Sequence, residues 1–313
     1  MFLDSLLFFA GLLLLYYGAE YLVSGSSRLA LSFGIRPLII GMTVVAFATS
    51  MPEMMVSLFA AFKGSADIAT GNIVGSNIAN IGLILGIAAL LTPIAVASRT
   101  LKREFPIMLG ASVLLYVLLL DLSLGFFDGL LLFLLLIAFL CYCSKTARER
   151  DVDGAVEAET VTEEKKHRTR DAVYIIIGII GLGVGAELMV QSAVSIARTF
   201  GISELVIGVS IVALGTSLPE LAASMMSAWK GEMDISIGNV IGSNIFNIFF
   251  VLGICPMIHP LAIEPTLLIY QMPVMLAFSF GLVFLVYRNN GLKRFQGALL
   301  LVCYILFIAT LFI

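Results

Sequence analysis

The sequence predicts an all-α membrane protein whose ten transmembrane helices form two inverted five-helix repeats. Composition, the length of the apolar runs and an internal duplication predict this fold class. Hydrophobic residues make up 60% of the 313 residues and charged residues only 12%, whereas a soluble domain carries about a quarter charged residues. The basic residues lie between apolar runs rather than on one face, so we expect a lipid bilayer and no nucleic acid as partner.

Ten apolar runs are the predicted spans, because a helix needs about 20 apolar residues to cross the hydrocarbon core. None of the runs alternates as a strand would, so helices are the expected spanning element. The runs cover residues 3–25, 37–62, 71–91, 104–121, 124–143, 172–195, 204–229, 238–258, 267–287 and 294–313.

One long polar stretch, residues 144–171, divides the chain into a first repeat at 1–143 and a second repeat at 172–313. Loops on one predicted side of the membrane carry 16 of the 18 Lys and Arg residues. The positive-inside rule places that side in the cytoplasm. We therefore expect a multi-pass protein of the cell membrane, with both termini extracellular and the 144–171 linker cytoplasmic.

The duplication relates residues 41–94 to residues 208–261 at an offset of 167, with 25 identities in 54 positions. Each predicted half has five spans, an odd number, so the second copy must cross the membrane in the opposite direction to the first. Inverted repeats of this kind place substrate sites near the midplane, where the two copies meet.

Two glutamates, Glu53 and Glu220, lie midway along their predicted spans and are related by the repeat. A carboxylate at this depth is costly and is by default a functional candidate. Each follows a proline, Pro52 or Pro219, which cannot donate to the carbonyl four residues earlier. A carbonyl freed at membrane depth needs a partner, and a cation is one.

A polar stripe follows each glutamate at helical spacing, formed by Asn72, Ser76 and Asn80 and again by Asn239, Ser243 and Asn247. Oxygen ligands without thiols or imidazoles favour Ca²⁺, Na⁺ or Mg²⁺ over zinc or copper. A flexible cage of many oxygens favours Ca²⁺ over Mg²⁺. Other polar residues have a structural alternative, because Ser and Asn often join membrane helices. That alternative is favoured for Ser57, Ser224 and Ser227 and is open for Asn72 and Asn239, while Glu20 and Glu187 are expected to have structural or gating roles.

Two ionised carboxylates in a low-dielectric site repel each other, so an empty site resists movement across the membrane. This favours obligatory exchange over uniport, and we expect no enzymatic activity and no cofactor. A Ca²⁺/H⁺ antiporter on the same scaffold stays open as an alternative. A cation channel and an intramembrane carboxylate enzyme are less favoured, since no pore ring and no peptide-positioning motif is visible.

The motifs ATSMPE and GTSLPE, each followed by GNxxGSNIxNI, resemble the two alpha-repeats of the Ca²⁺/cation antiporter superfamily. The whole chain is similar to its prokaryotic Na⁺/Ca²⁺ exchanger branch. The resemblance implies exchange of three Na⁺ for one Ca²⁺ and sliding of spans 1 and 6. We also expect the protein to function as a monomer. It also implies Ca²⁺ ligands at Glu53, Glu220, Thr49 and Thr216, Na⁺ sites at Ala46, Ser50, Ser76, Ala213, Ser217 and Ser243, and central positions for Asn80 and Asn247. Some family members carry Asp at one central Asn position, whereas this chain has Asn at both.

Overall fold

The computed structural model describes residues 2–147, 168–201 and 213–311. Within these ranges the chain is almost entirely helical. The helices are α1 (Phe2–Phe33), α2 (Pro37–Thr49), α3 (Met51–Phe62), α4 (Ala66–Leu91), α5 (Ser98–Asp121), α6 (Phe126–Thr146), α7 (Arg168–Thr199), α8 (Ala213–Thr216), α9 (Leu218–Lys230), α10 (Met233–Ile258), α11 (Leu267–Asn289) and α12 (Arg294–Thr310).

Seven of these helices, α1, α4, α5, α6, α7, α10 and α11, are long and apolar enough to cross a membrane. Helices α2 and α3 form an eighth candidate span, bent by 46° between Thr49 and Met51. The last predicted run forms α12, which has 17 residues. The start of the seventh predicted run, residues 204–212, lies outside the described residues. The protein is therefore a helical, multi-pass membrane protein.

Several helices run beyond the apolar segments that predict them. Helix α1 continues to Phe33 and ends before Gly34, whose φ of 62° is the left-handed conformation that closes many helices. Helix α6 ends at Thr146 and α7 begins at Arg168, so both enter the predicted linker. Residues 148–167 of that linker lie outside the described part, and the division into two repeats at this point stays a prediction.

Helices α4 and α10, which carry the repeated Gly-Asn motifs, form the centre of the molecule. In the most apolar stretch of each of these helices, 78% of the residues are buried, against 28–39% in the other five long spans. Helix α10 packs on α2 and α9, while α4 packs on α3 and α12. The remaining helices therefore shield these two polar-striped helices from lipid.

Helices α1 and α7 pack against each other along most of their length, at two glycine crossings. A Cβ atom added at Gly18 would lie 2.7 Å from the Leu182 nitrogen, and one at Gly178 would lie 2.5 Å from the Leu22 nitrogen. Small residues at such crossings let membrane helices approach closely. Gly11 contacts the backbone of Gly185 in the same way. The two crossings are equivalent, because Gly178 and Gly185 lie 167 residues after Gly11 and Gly18.

Two short antiparallel ribbons join the loops of one half of the chain to loops of the other. Strand β1 (Ile94–Ala95) pairs with β4 (Gly291–Leu292), and β2 (Ser123–Leu124) pairs with β3 (Leu261–Ala262). The first and third strands are again 167 residues apart. The ribbons thus fix the helix ends that surround the core.

Candidate cation site

The chain breaks twice at the serine that precedes each Pro-Glu pair. Ser50 separates α2 from α3 with φ −82° and ψ 6°, and Ser217 separates α8 from α9 with φ −89° and ψ 6°. A proline follows in the first turn of the next helix, where its missing N–H costs nothing. Glu53 and Glu220 consequently lie in the first turns of α3 and α9, and each is 1% exposed.

The two glutamates are linked by reciprocal hydrogen bonds across the repeat. Ser50 Oγ donates to Glu220 Oε1 at 3.0 Å, and Ser217 Oγ donates to Glu53 Oε1 at 3.1 Å. Each serine therefore reaches the carboxylate of the other copy, which brings both breaks to one shared site. The other oxygen of each glutamate, Oε2, is buried and has no hydrogen-bond partner within the described ranges.

Asn72 and Asn239 brace the helices beside the glutamates. Asn72 Nδ2 donates to the Glu53 carbonyl at 3.2 Å and to Ser57 Oγ at 3.0 Å. Asn239 Nδ2 makes the equivalent bonds to the Glu220 carbonyl at 3.4 Å and to a serine, Ser224, at 2.9 Å. These bonds join α3 to α4 and α9 to α10, so the geometry favours the structural interpretation of both asparagines and both serines.

The threonines and alanines lie on the helical segments that lead into the breaks. Thr49 is fully buried, and its Oγ1 donates to Asn239 Oδ1 at 3.1 Å. The Ala46 carbonyl accepts the Ser50 N–H at 3.0 Å. Thr216 is buried and directly precedes Ser217, whereas the side chain of Ala213 lies outside the described part. The first-repeat members thus surround the site, and the second-repeat members approach it along α8.

The two central asparagines begin π-helical turns, at Asn80–Leu85 in α4 and Asn247–Val251 in α10. Such turns are frequent at functional sites. The turn at Asn80 packs on α9, which carries Glu220, and the turn at Asn247 packs on α3, which carries Glu53. Both side chains are buried, and both Oδ1 atoms have no hydrogen-bond partner among the residues described.

The two serines of the polar stripes lie one turn before these asparagines and differ in their surroundings. Ser243 is fully buried, and its Oγ has no partner in the described chain. Ser76 is 4% exposed and lines a cavity of about 510 Å³ together with Asn72 and Gln271. The cavity therefore reaches the stripe of α4 close to the shared site.

Four acceptor oxygens distinguish this region from an ordinary polar core. They are Glu53 Oε2, Glu220 Oε2, Asn80 Oδ1 and Asn247 Oδ1. More than nine in ten buried polar groups are normally satisfied, and a buried carboxylate needs a compensating charge. The described residues include no group of three or more His, Cys, Asp or Glu side chains that would hold a metal ion. The region suits a hard cation held by carboxylate, amide and hydroxyl oxygens.

Sequence reasoning missed two asparagines that contact this set. Asn77 Oδ1 accepts a hydrogen bond from Asn247 Nδ2 at 3.2 Å, and Asn244 Oδ1 accepts one from Asn80 Nδ2 at 3.0 Å. Both belong to the duplicated GSN segment. Their occurrence in both copies indicates a shared role. They do not lie on the helical stripe that contains Asn80 and Asn247.

Comparison with known proteins identifies the family. The chain matches the family model described as sodium/calcium exchanger protein over residues 4–145 and 171–313. It belongs to the sodium/calcium exchanger family. This confirms the resemblance carried by the two Pro-Glu motifs.

Three further comparisons agree with this family. The chain is 41% identical to the putative antiporter CaxA of Alkalimonas amylolytica, over 97% of each chain. It is 33% identical to the sodium/calcium exchanger MaX1 of Methanosarcina acetivorans, over 99% of this chain and 98% of that one. A solved structure of the sodium-calcium exchanger NCX_Mj superposes with a TM-score of 0.87 at 37% identity, covering 99% of both chains.

This chain also has a more distant relative that is named for a different exchange. The Ca(2+)/H(+) antiporter ChaA of Bacillus subtilis is 27% identical over 92% of this chain and 86% of its own length. By its family and its membrane-spanning helices, the protein is a transmembrane antiporter of the sodium/calcium exchanger family.

Proposed function

We propose that this protein exchanges Na⁺ for Ca²⁺ by alternating access, with ten spans in two inverted five-helix repeats. The observation that carries the proposal is a set of four buried oxygens where equivalent helices of the two copies meet, none of which has a hydrogen-bond partner among the described residues. Two of them belong to glutamates, so the site has the charge to neutralise one divalent cation. The name of the relative MaX1 supports Na⁺ as the counter-ion.

The proposed Ca²⁺ ligands are Glu53 and Glu220 with oxygens of Thr49 and Thr216. The family resemblance supplies flanking Na⁺ sites. They are formed by Ala46, Ser50 and Ser76 in the first repeat and by Ala213, Ser217 and Ser243 in the second. The reciprocal Ser50–Glu220 and Ser217–Glu53 hydrogen bonds support this assignment, because each flanking serine already contacts the carboxylate it would share with a cation.

A difference between equivalent residues of the two copies supports alternating access. Lys230 Nζ contacts Glu20 Oε1 at 3.3 Å and Ser24 Oγ at 2.6 Å, which ties α1 to the end of α9. The equivalent lysine, Lys63, makes no ion pair with Glu187 in the described part of the chain. Two copies in different conformations are the arrangement expected when an inverted repeat opens to one side at a time.

The proposal includes orientation and movement. The positive-inside rule supports extracellular termini, a cytoplasmic 144–171 linker and a place in the cell membrane. The extensive glycine-mediated packing of α1 on α7 supports movement of these helices as one pair. One complete site within one chain supports a functional monomer.

A Ca²⁺/H⁺ antiporter is the second candidate, and the similarity to ChaA is the observation that favours it. Two buried carboxylates can exchange protons for a divalent cation without any Na⁺ site. The test is ⁴⁵Ca²⁺ uptake into proteoliposomes under separate Na⁺, K⁺ and H⁺ gradients. We expect uptake only with Na⁺ inside, whereas uptake driven by a pH step without Na⁺ would select the second candidate.

A further inference from the structure

We propose that Asn77 and Asn244 are positioning residues that determine which amide atom of Asn247 and Asn80 faces the cation site. The inference rests on the proposed function, because it concerns the same site. It starts from two methionine sulfurs, which accept hydrogen bonds and cannot donate them.

The first chain of contacts begins at Met275 on α11. Asn77 Nδ2 lies 3.8 Å from Met275 Sδ, and the sulfur requires the NH₂ side of the amide to face it. The Asn77 oxygen then faces the opposite way and accepts from Asn247 Nδ2 at 3.2 Å. Because Asn247 directs its NH₂ to Asn77, its own oxygen is the atom left without a partner among the described residues.

The second chain repeats this order with equivalent residues. Asn244 Nδ2 lies 3.6 Å from Met108 Sδ on α5, and Asn80 Nδ2 donates to Asn244 Oδ1 at 3.0 Å. Every member is 167 residues from its counterpart in the first chain. Asn80 Oδ1 is again the atom left without a donor within the described ranges. The same donor and acceptor logic thus fixes both amides independently.

The orientation matters because the two ends of an amide act oppositely on a cation. An amide oxygen is a ligand, whereas an NH₂ group presents partly positive hydrogens. All four asparagines are 0–1% exposed, so bulk water cannot satisfy a reversed amide. Asn77 and Asn244 therefore act on ion binding through their neighbours rather than as ligands.

The test compares Asn77→Leu, Met275→Leu and the double variant for Na⁺-driven ⁴⁵Ca²⁺ uptake by the purified full chain in proteoliposomes. We expect Asn77→Leu to raise the Ca²⁺ concentration for half-maximal uptake about tenfold, the effect of losing one oriented polar contact. The maximal rate should stay within about twofold, because the moving helices are unchanged. Met275→Leu, which conserves volume and so folds, should raise the half-saturating concentration about threefold.

The double variant separates positioning from packing. If Met275 acts only through Asn77, the double variant should match Asn77→Leu, whereas independent packing effects would multiply. Met272→Leu is the matched control, because Met272 is fully buried on the same helix and its sulfur has no hydrogen bond to the described residues. It should leave the half-saturating concentration unchanged.

Three results decide the proposal. An unchanged half-saturating concentration in Asn77→Leu overturns the positioning role while leaving wild-type exchange intact. Equal effects of Met272→Leu and Met275→Leu overturn it as well, even if Asn77→Leu does not fold. Absence of Na⁺-driven uptake in the wild type contradicts the proposed function, and the positioning role with it.

Discussion

At the residue scale, each glutamate of the pair accepts a hydrogen bond from the other repeat with one oxygen, and the second oxygen has no donor among the described residues. Two such carboxylates can neutralise one Ca²⁺ but are costly when the site is empty. If Ca²⁺ binds here as proposed, its binding should need both glutamates together.

Replacing either glutamate by glutamine tests this dependence. Glu53→Gln and Glu220→Gln should each abolish ⁴⁵Ca²⁺ transport, because one negative charge cannot neutralise Ca²⁺. Folding should survive in both variants, since a neutral amide costs less to bury than a carboxylate. Glu264→Gln is the control, because Glu264 is exposed in a loop. This variant should transport Ca²⁺ normally. Normal Ca²⁺ flux in either buried variant would remove the glutamates from the site.

A third carboxylate at the central asparagine tests the extent of the site. Asn247→Asp adds a third carboxylate on the turn that packs on α3, which carries Glu53, and negative charge attracts protons as well as cations. Inhibition of Ca²⁺ uptake by protons should then extend to higher pH than in the wild type. Asn289→Asp is the control, because Asn289 is the last residue of α11, and it should keep the wild-type profile. If both variants show the wild-type pH profile of ⁴⁵Ca²⁺ uptake, Asn247 does not line the site.

At the element scale, the glycine crossings make α1 and α7 one unit. Gly178→Ala should destabilise the protein by about 1–3 kcal/mol, the usual effect of overpacking, because the added Cβ would lie 2.5 Å from the Leu22 backbone nitrogen. Gly183→Ala on the same helix meets nothing within 4 Å and should be neutral. Thermal unfolding in detergent measures both. Equal stability of the two variants would contradict close packing of this pair.

Sequence predicted most of the helices at this scale, because apolar length is dictated by the bilayer. It also predicted the helix breaks beside Pro52 and Pro219, because proline lacks the N–H that would continue the helical hydrogen bonds. It did not predict that α1 continues to Phe33, because Ser26, Ser27 and Arg28 interrupt the apolar run. The sequence also did not predict the hydrogen bonds between the two copies, such as the one from Ser50 to Glu220. They join residues 170 positions apart, and only the folded arrangement of two copies brings them together.

At the scale of the whole molecule, contacts repeated at an offset of 167 residues lie around one region that contains two buried carboxylates. In the proposed three-for-one exchange, bound Ca²⁺ would leave the two carboxylates near neutral, and three Na⁺ would leave one positive charge. The Na⁺-loaded step would then move net charge through the membrane field, worth about 2.3 kcal/mol per elementary charge per 100 mV. Exchange should consequently respond to voltage.

The most direct test is ⁴⁵Ca²⁺ uptake into Na⁺-loaded proteoliposomes, with the potential clamped by valinomycin and K⁺ at a fixed Na⁺ gradient. Three positive charges leave for the two that enter, so an inside-positive potential should accelerate uptake and an inside-negative potential should slow it. Vesicles with Glu53→Gln should show no uptake at any potential. Uptake that is indifferent to voltage would contradict three-for-one exchange, and uptake that needs no internal Na⁺ would contradict Na⁺/Ca²⁺ exchange itself.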